Sequence, residues 1–325
     1  MKTVSILVLE TAIPAAIVDP MYMFNAVNEF YKTAGLSPFF KVQLVGLQES
    51  VGLNGGQISI RPDVLLEEAT QADLVIIPAI SGDIMQALAL NESFIPWIKD
   101  QYNGGAEVAS LCIGAFLLAS TRLLDGKSCS THWLHASHFR EMFPQVHLIS
   151  ERVITDQGGL YTSGGATSYW NLLLYLVEKY TSREMAITAS KFFLLDIEKT
   201  NQLPFTIFRG QKEHGDELIL AAQDYIEKNF AERLTIDQLA DRYQLGRRTF
   251  ERRFKKSTDN TLVEYIQRVK IEAAKKQLET GRKTVTEVMY DVGYTDNKAF
   301  REIFKRYTAI SPVDYRKKYS KSLEQ

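Results

Sequence analysis

Two stretches decide how this chain folds: Arg247-Arg-Thr-Phe-Glu-Arg-Arg-Phe-Lys-Lys256 and Asn297-Lys-Ala-Phe-Arg-Glu-Ile-Phe-Lys-Arg306. Phe250, Phe254, Lys255, Thr261, Val263, Glu264 and Tyr265 recur fifty positions later as Phe300, Phe304, Lys305, Ser311, Val313, Asp314 and Tyr315. A short apolar-periodic segment precedes each copy: Ile236, Leu239 and Ala240 in the first, Val285, Val288 and Met289 in the second. The offset there is forty-nine, so the second turn holds one extra residue. Each copy reads as a helix, a tight turn (Gln244-Leu245-Gly246 or Gly293-Tyr294-Thr295) and a second helix. This is a helix-turn-helix, present twice.

The second helix of each unit has two faces. Phe250 and Phe254 are four apart and turn inward together. Arg248, Glu251, Arg252 and Lys255 follow helical spacing on another face, and Arg247 opens the helix. In the second copy Phe300, Ile303 and Phe304 go in, while Asn297, Lys298, Arg301 and Lys305 come out. Arg and Lys donate to guanine edges and phosphates, and Asn bridges an adenine edge. One basic helix face is ordinary solvated surface. Two of them, joined by the amphipathic segment Thr261 to Glu279, point to double-stranded DNA. A stiff connecting helix sets two readers about one duplex turn, roughly 34 Å, apart.

Over about the last hundred residues the chain resembles the AraC/XylS family of transcription regulators. Tyr265-Ile-Gln-Arg-Val-Lys-Ile-Glu-Ala-Ala274 is similar to that family's linker helix. Val285-Thr-Glu-Val-Met-Tyr-Asp-Val-Gly-Tyr294 is similar to the first helix of its second unit, and Ser311-Pro312 with Tyr315-Arg316 to its closing signature. The resemblance implies base-facing roles for Arg248, Glu251, Arg252, Asn297, Lys298, Arg301 and Glu302. Arg247, Lys255 and Lys305 complete the candidate DNA-contacting set. The sequence departs from the pattern at Asp259 and Ala309, where glycine is usual, and at Leu262, where proline is common. It also departs at Glu302, where an Arg is usual, so the second reader is expected to bind more weakly or to read a different base.

At 325 residues two domains are expected. A composition of 45% hydrophobic and 24% charged residues is that of a globular protein. The net charge of −1 hides an asymmetry. Residues 211–325 hold 24 Lys and Arg against 19 Asp and Glu, leaving 14 against 20 for the rest. A mildly basic C-terminal domain on an acidic N-terminal one fits a DNA reader attached to something that is not one. No secretory leader is expected from Met-Lys-Thr followed by a strand pattern. Ala109 to Ser120 is too short to span a bilayer. Two cysteines, Cys112 and Cys129, make no disulfide framework. The expected compartment is the cytoplasm, with no membrane partner, no metal and no cofactor.

The first two hundred residues alternate strand and helix patterns. Strands are expected at Val4–Leu9, Phe40–Leu47, Asp73–Pro78, Glu107–Leu111, His147–Ile154 and Leu160–Thr162, and helices at Pro20–Ala34, Phe94–Tyr102 and Ser168–Lys179. This implies a mostly parallel, flavodoxin-like α/β sheet with helices on both faces. Ligands then bind at the carboxyl ends of strands. Cys112 sits at such an end, before a helix and two residues ahead of Gly114. That is the arrangement of a nucleophile elbow, in which the helix N-terminus is expected to lower a thiol's pKa. Thr162-Ser-Gly-Gly165 is a second strand-to-helix junction. Cys129, His132, His135 and His138 are spaced by three, as neighbours sharing a metal on one helix are, although that run winds around the helix.

From Lys2 to Leu195 the chain resembles the ThiJ/PfpI branch of the class I glutamine-amidotransferase-like superfamily. The landmarks are Val108-Ala-Ser-Leu-Cys-Ile-Gly-Ala-Phe-Leu-Leu-Ala119, Leu123-Leu-Asp-Gly126 ahead of His132, and Gly159-Leu-Tyr-Thr-Ser-Gly-Gly165. The resemblance implies that catalysis needs Cys112, a histidine and an acid near the first helix. That acid falls at Ala16, with Asp19 shifted from it. Ala79 and Ile80 stand where oxyanion-stabilising glycines are expected, and Ile113 where protease-like members place histidine. A non-enzymatic pocket is therefore expected, lined by Cys112, Ile113, His132, Asp19 and Ser163 and holding an unknown small-molecule effector. The alternative is a cysteine-dependent hydrolase or glyoxalase-like enzyme fused to a DNA-binding domain. A further alternative is a constitutive DNA-binding protein whose first domain only dimerises.

The expected organisation is a sensor and dimerisation domain at 1–200, a partly packed linker at 201–215 and an all-α DNA-binding domain with two helix-turn-helix units at 216–320. The expected partners are promoter half-sites, the effector, a second copy of the chain and RNA polymerase.

Overall fold

The structure is a computed structural model that describes residues 1–197 and 200–320. It divides into two compact units, Met1–Gln202 and Leu203–Gln325.

The elements of the first unit, in chain order, are β1 (Lys2–Val8), α1 (Ala15–Thr33), β2 (Phe40–Gly46), β3 (Val51–Leu53), β4 (Ile58–Ile60), β5 (Val64–Leu65), β6 (Leu74–Ile77), α2 (Ile84–Leu90), α3 (Phe94–Asn103), β7 (Glu107–Ser110), α4 (Ala115–Ser120), β8 (Ser128–Cys129), α5 (Ala136–Met142), β9 (His147–Leu148), β10 (Ile154–Asp156), β11 (Leu160–Ser163), α6 (Tyr169–Tyr180) and α7 (Arg183–Phe192). Seven strands form one sheet in the order β10-β11-β7-β6-β1-β2-β5. All neighbours are parallel except the β10–β11 hairpin. Central β1 is buried from Val4 to Val8, as a continuous apolar run covered on both faces requires. Helices α1, α6 and α7 pack on one another, and α4 packs with α2 and α3.

Two expectations need correction, and one helix is new. The first helix begins at Ala15, not Pro20, and carries the buried Pro20 inside it, which leaves the Ala16 carbonyl without its helical donor. The stretch His147–Ile154 is not one strand. It breaks into β9 and β10 around a turn in which Arg152 N–H bonds back to the Ile149 carbonyl. Helix α7 was not foreseen, although Ser182 caps it by accepting from Met185 N–H.

The second unit contains α8 (Glu217–Lys228), α9 (Ile236–Arg242), α10 (Arg247–Thr258), α11 (Leu262–Glu279), α12 (Val285–Asp291), α13 (Asn297–Thr308) and α14 (Pro312–Tyr319). It has two apolar cores. One gathers Ile219, Leu239, Phe250, Phe254 and Tyr265. The other gathers Leu278, Val288, Phe300, Phe304 and Tyr315. Helix α11 serves both, its first half in one core and its second half in the other. Its 18 residues make a rod of roughly 27 Å.

The stretch expected as a linker is shared out. Gln202 is buried in the first unit. Beyond it, Phe208 stacks edge-on against Tyr265 and donates its N–H to Glu272 Oε2 at 3.1 Å. Lys275 donates to the Thr206 carbonyl, and Tyr319 Oη to that of Pro204. Phe205 and Ile207 remain exposed.

Candidate functional site

The repeat seen in the sequence is a repeat of hydrogen bonds. In the turns, Leu245 N–H donates to the Ala240 carbonyl and Tyr294 N–H to that of Met289, both at 3.0 Å. Gln244 and Gly293 fill the same left-handed turn position, with φ of 53° and 75°. Gly293 is also required by proximity, because a Cβ there would run into the Ala231 carbonyl. Thr235 and Thr284 both cap the first helix of their unit through a complete capping box. The extra residue, Thr295, lies between the turn and the N-cap of α13. Asp296 caps α13 by accepting from Ala299 N–H at 2.9 Å, whereas Gly246 gives α10 no side-chain cap.

Helices α10 and α13 bury their phenylalanines and expose the other face. Arg247, Arg248, Arg252, Lys255, Asn297, Lys298, Arg301, Glu302 and Lys305 are exposed, and Glu251 is half-buried. Arg247 is already engaged, donating to Asp237 and lying 3.8 Å from Glu251. The side chains of Arg248, Arg252, Lys255, Lys298, Arg301 and Lys305 form no hydrogen bond or ion pair among the described residues, which leaves them available to an outside acceptor. Arg253, not singled out from sequence, holds Asp216 with two hydrogen bonds at 2.6 and 2.9 Å and so ties α10 to the start of α8.

In the first unit Cys112 has the elbow geometry. It follows β7, has φ of 54° and begins a turn that leads into α4. Gly114 is obligatory, because a Cβ there would strike the Pro78 carbonyl oxygen. The Cys112 N–H donates to Ser163 Oγ at 3.3 Å, and its carbonyl accepts from Thr131 Oγ1 at 3.1 Å. Thr131 was missed, although it directly precedes His132.

The thiol itself is shielded from water. Cys112 is 3% exposed, and burial pushes its pKa up to about 12. This is opposite to the expected lowering: desolvation is the largest influence, and the backbone hydrogen bond at Ile113 offsets only part of it. Ile113 is buried beside it. His132 Nδ1 accepts from Leu134 N–H at 3.1 Å, so the neutral ring carries its proton on Nε2. Desolvation, then neighbouring His135, holds its pKa below the usual value. Asp19 accepts from Tyr169 Oη at 2.7 Å. No hydrogen bond joins His132 or Asp19 to Cys112 among the described residues. The Ala79 carbonyl accepts from Ile13 N–H at 2.8 Å.

The spacing of Cys129, His132, His135 and His138 does not place them on one helix. Cys129 lies on β8, His132 caps a 3-10 turn, Trp133–His135, that ends with His135, and His138 is in α5. No group of three or more His, Cys, Asp or Glu is arranged to hold a metal among the described residues. Nor is any helix among them long and apolar enough to cross a membrane.

Comparison with known proteins agrees with both halves. The model of the DJ-1/PfpI family matches residues 2–179. A helix-turn-helix domain model matches residues 239–318. The HTH-type transcriptional regulator GbdR of Pseudomonas aeruginosa is 26% identical over 93% of this chain and 80% of its own length. Isonitrile hydratase of Pseudomonas putida is 26% identical over 50% of this chain and 65% of its own. The solved structure of an AraC family transcriptional regulator from Pseudomonas putida superimposes with a TM-score of 0.50 at 17% identity, covering 59% of this chain and all of that one. The last likeness is one of fold.

Proposed function

This chain belongs to the DJ-1/PfpI family, and on that premise we propose that it is a DNA-binding transcriptional regulator whose α/β unit senses a small molecule. The observation that carries the DNA-binding half is the duplicated helix-turn-helix. Two reader helices have matching turns and matching phenylalanine cores, and both lie against one rod-like helix. Their exposed cations are free to meet phosphates and base edges. GbdR, similar along most of the chain, is itself named a transcriptional regulator.

The sensing half rests on the preserved elbow frame without its chemistry. Cys112, Ile113, His132, Asp19 and Ser163 mark the end of the sheet where a ligand of such folds binds. A thiol near 12 and a histidine with no bond to it do not make a nucleophile and base. An effector there alters promoter affinity, and a second copy of the chain supplies a second pair of readers. The chain works in the cytoplasm and meets RNA polymerase at its promoters. The likeness to isonitrile hydratase favours one other reading, an enzyme acting through Cys112. Both are tested on the full chain. Duplex binding with and without a metabolite panel tests the sensor, and thiol-dependent turnover of small electrophiles tests the enzyme. A regulator whose duplex affinity no metabolite moves, and which turns over substrate, would replace this account.

A further inference from the structure

The last residue of the first unit, Gln202, sends its side chain back into that unit. It is 2% exposed. Its Nε2 lies 2.8 Å from the Arg152 carbonyl, 3.0 Å from that of Ser150, 3.1 Å from that of Thr131 and 3.4 Å from Ser130 Oγ. The floor of this recess is glycine. A Cβ on Gly164 would overlap Gln202 Nε2 and the Thr131 carbonyl, whereas one on Gly165 would strike Ser168 Oγ and only touch Gln202 Oε1. Thr131 links the recess to the elbow, since its hydroxyl donates to the Cys112 carbonyl. Gln202 therefore sits two steps from Cys112, among the residues after β11 that end the sheet.

The fit is incomplete in a definite way. A carboxamide nitrogen has two hydrogens, and here it faces four oxygens. The carboxamide oxygen is buried with no hydrogen-bond partner among the described residues. Exchanging the two ends would set an oxygen against three carbonyls, so the neighbours fix the orientation. A buried polar atom without a partner is destabilising, and buried polar groups are otherwise satisfied. Gln202 thus fills a built polar site while its own carboxamide oxygen stays without a partner among the described residues.

We propose that Gln202 is a tethered occupant of a ligand recess, and that a small molecule presenting an N–H donor group to the Thr131, Ser150 and Arg152 carbonyls acts by displacing it. Displacement frees the chain that leads directly into Leu203 and the DNA-binding unit. Two backbone bonds hold the same segment, Gln202 N–H to the Glu151 carbonyl at 2.7 Å and Val153 N–H to that of Thr200 at 3.1 Å. They report its release. The inference deepens the sensor reading and rests on it.

The test uses the full chain in three variants: Gln202→Ala, Gln202→Glu and Gly164→Ala. Hydrogen exchange is followed at the amides of Val153 and Gln202, and duplex affinity is measured alongside. Exchange there should quicken roughly tenfold or more in each variant. Gln202→Glu should exceed Gln202→Ala, because a carboxylate oxygen set against the three carbonyls is repelled by them, whereas Ala only removes the donor. Duplex affinity should shift by roughly fivefold or more. Should Gly164→Ala fail to fold, the two Gln202 variants decide. Unchanged exchange, a Glu variant as protected as wild type, or faster exchange with unchanged affinity would overturn the proposal. Wild-type chain that binds no duplex would overturn the regulator reading instead, and the exchange rates would still decide whether Gln202 is a plug.

Discussion

Asp259 and Ala309, fifty positions apart in sequence, close the two reader helices in the same left-handed conformation, with φ of 55° and 61°. The threonine before each makes the same pair of bonds. Thr258 Oγ1 donates to the Phe254 and Asn260 carbonyls, and Thr308 Oγ1 to those of Phe304 and Ile310. Glycine is favoured in this conformation, because the backbone goes where L-residues resist. Asp tolerates the region better than Ala does. Ala309→Gly should therefore stabilise the C-terminal unit by about 1 kcal/mol, and Asp259→Gly by less. Urea unfolding of the two variants checks the order. A destabilised Ala309→Gly would contradict it.

Arg252 and Arg253 are adjacent and should behave oppositely. Arg252 is exposed with no partner among the described residues, whereas Arg253 is committed to Asp216. Arg252→Ala should weaken binding to the preferred duplex by roughly 1–3 kcal/mol if it reads a base, and weaken other sequences less. Arg253→Ala should instead lower unfolding stability and change base preference little. Fluorescence anisotropy on matched and scrambled duplexes separates the two.

Much of the second unit was legible because its signals are local. Phe–Phe spacing, threonine caps and the offset change from forty-nine to fifty are all present in the fold, down to the extra Thr295. The parallel sheet was legible from apolar runs such as Val4–Leu9. What stayed hidden depends on distant partners. Gln202 has no periodic context, and its oxygens come from residues 50 to 72 positions away. The raised thiol pKa of Cys112 reflects burial by several elements, which outweighs the local turn. The break between β9 and β10 is set by where Arg152 bonds, and an apolar run does not reveal it.

Asp216 caps α8 and receives Arg253, whose hydrogen bonds hold its carboxyl below the ordinary value of 3.8. A carboxyl with a depressed folded-state pKa stabilises the fold fully above its unfolded value. That contribution is lost as pH falls through the folded value. At pH 7 Asp216→Ala should lose about 1–2 kcal/mol, from the cap and the pair together. The gap between wild type and variant should narrow as pH drops below about 4. A gap constant from pH 7 to pH 2.5 would contradict this.

Cys112 should react slowly with iodoacetamide at pH 8. A thiol pKa of about 12 leaves on the order of one thiolate in ten thousand at that pH. Its labelling rate, followed by mass spectrometry at that residue, should climb about tenfold per pH unit with no plateau below pH 10. Fast labelling with a plateau near neutrality would mark an activated nucleophile and revive the enzyme reading.

DNA recognition depends most on two readers held at fixed spacing by α11. The direct measurement titrates the full chain, at modest salt, against a preferred duplex and against the same duplex with five base pairs inserted between the two contacted segments. Because the rod cannot turn, the insertion should reduce affinity roughly tenfold or more, to that of one reader. No association with any duplex, or equal affinity for both, would contradict it.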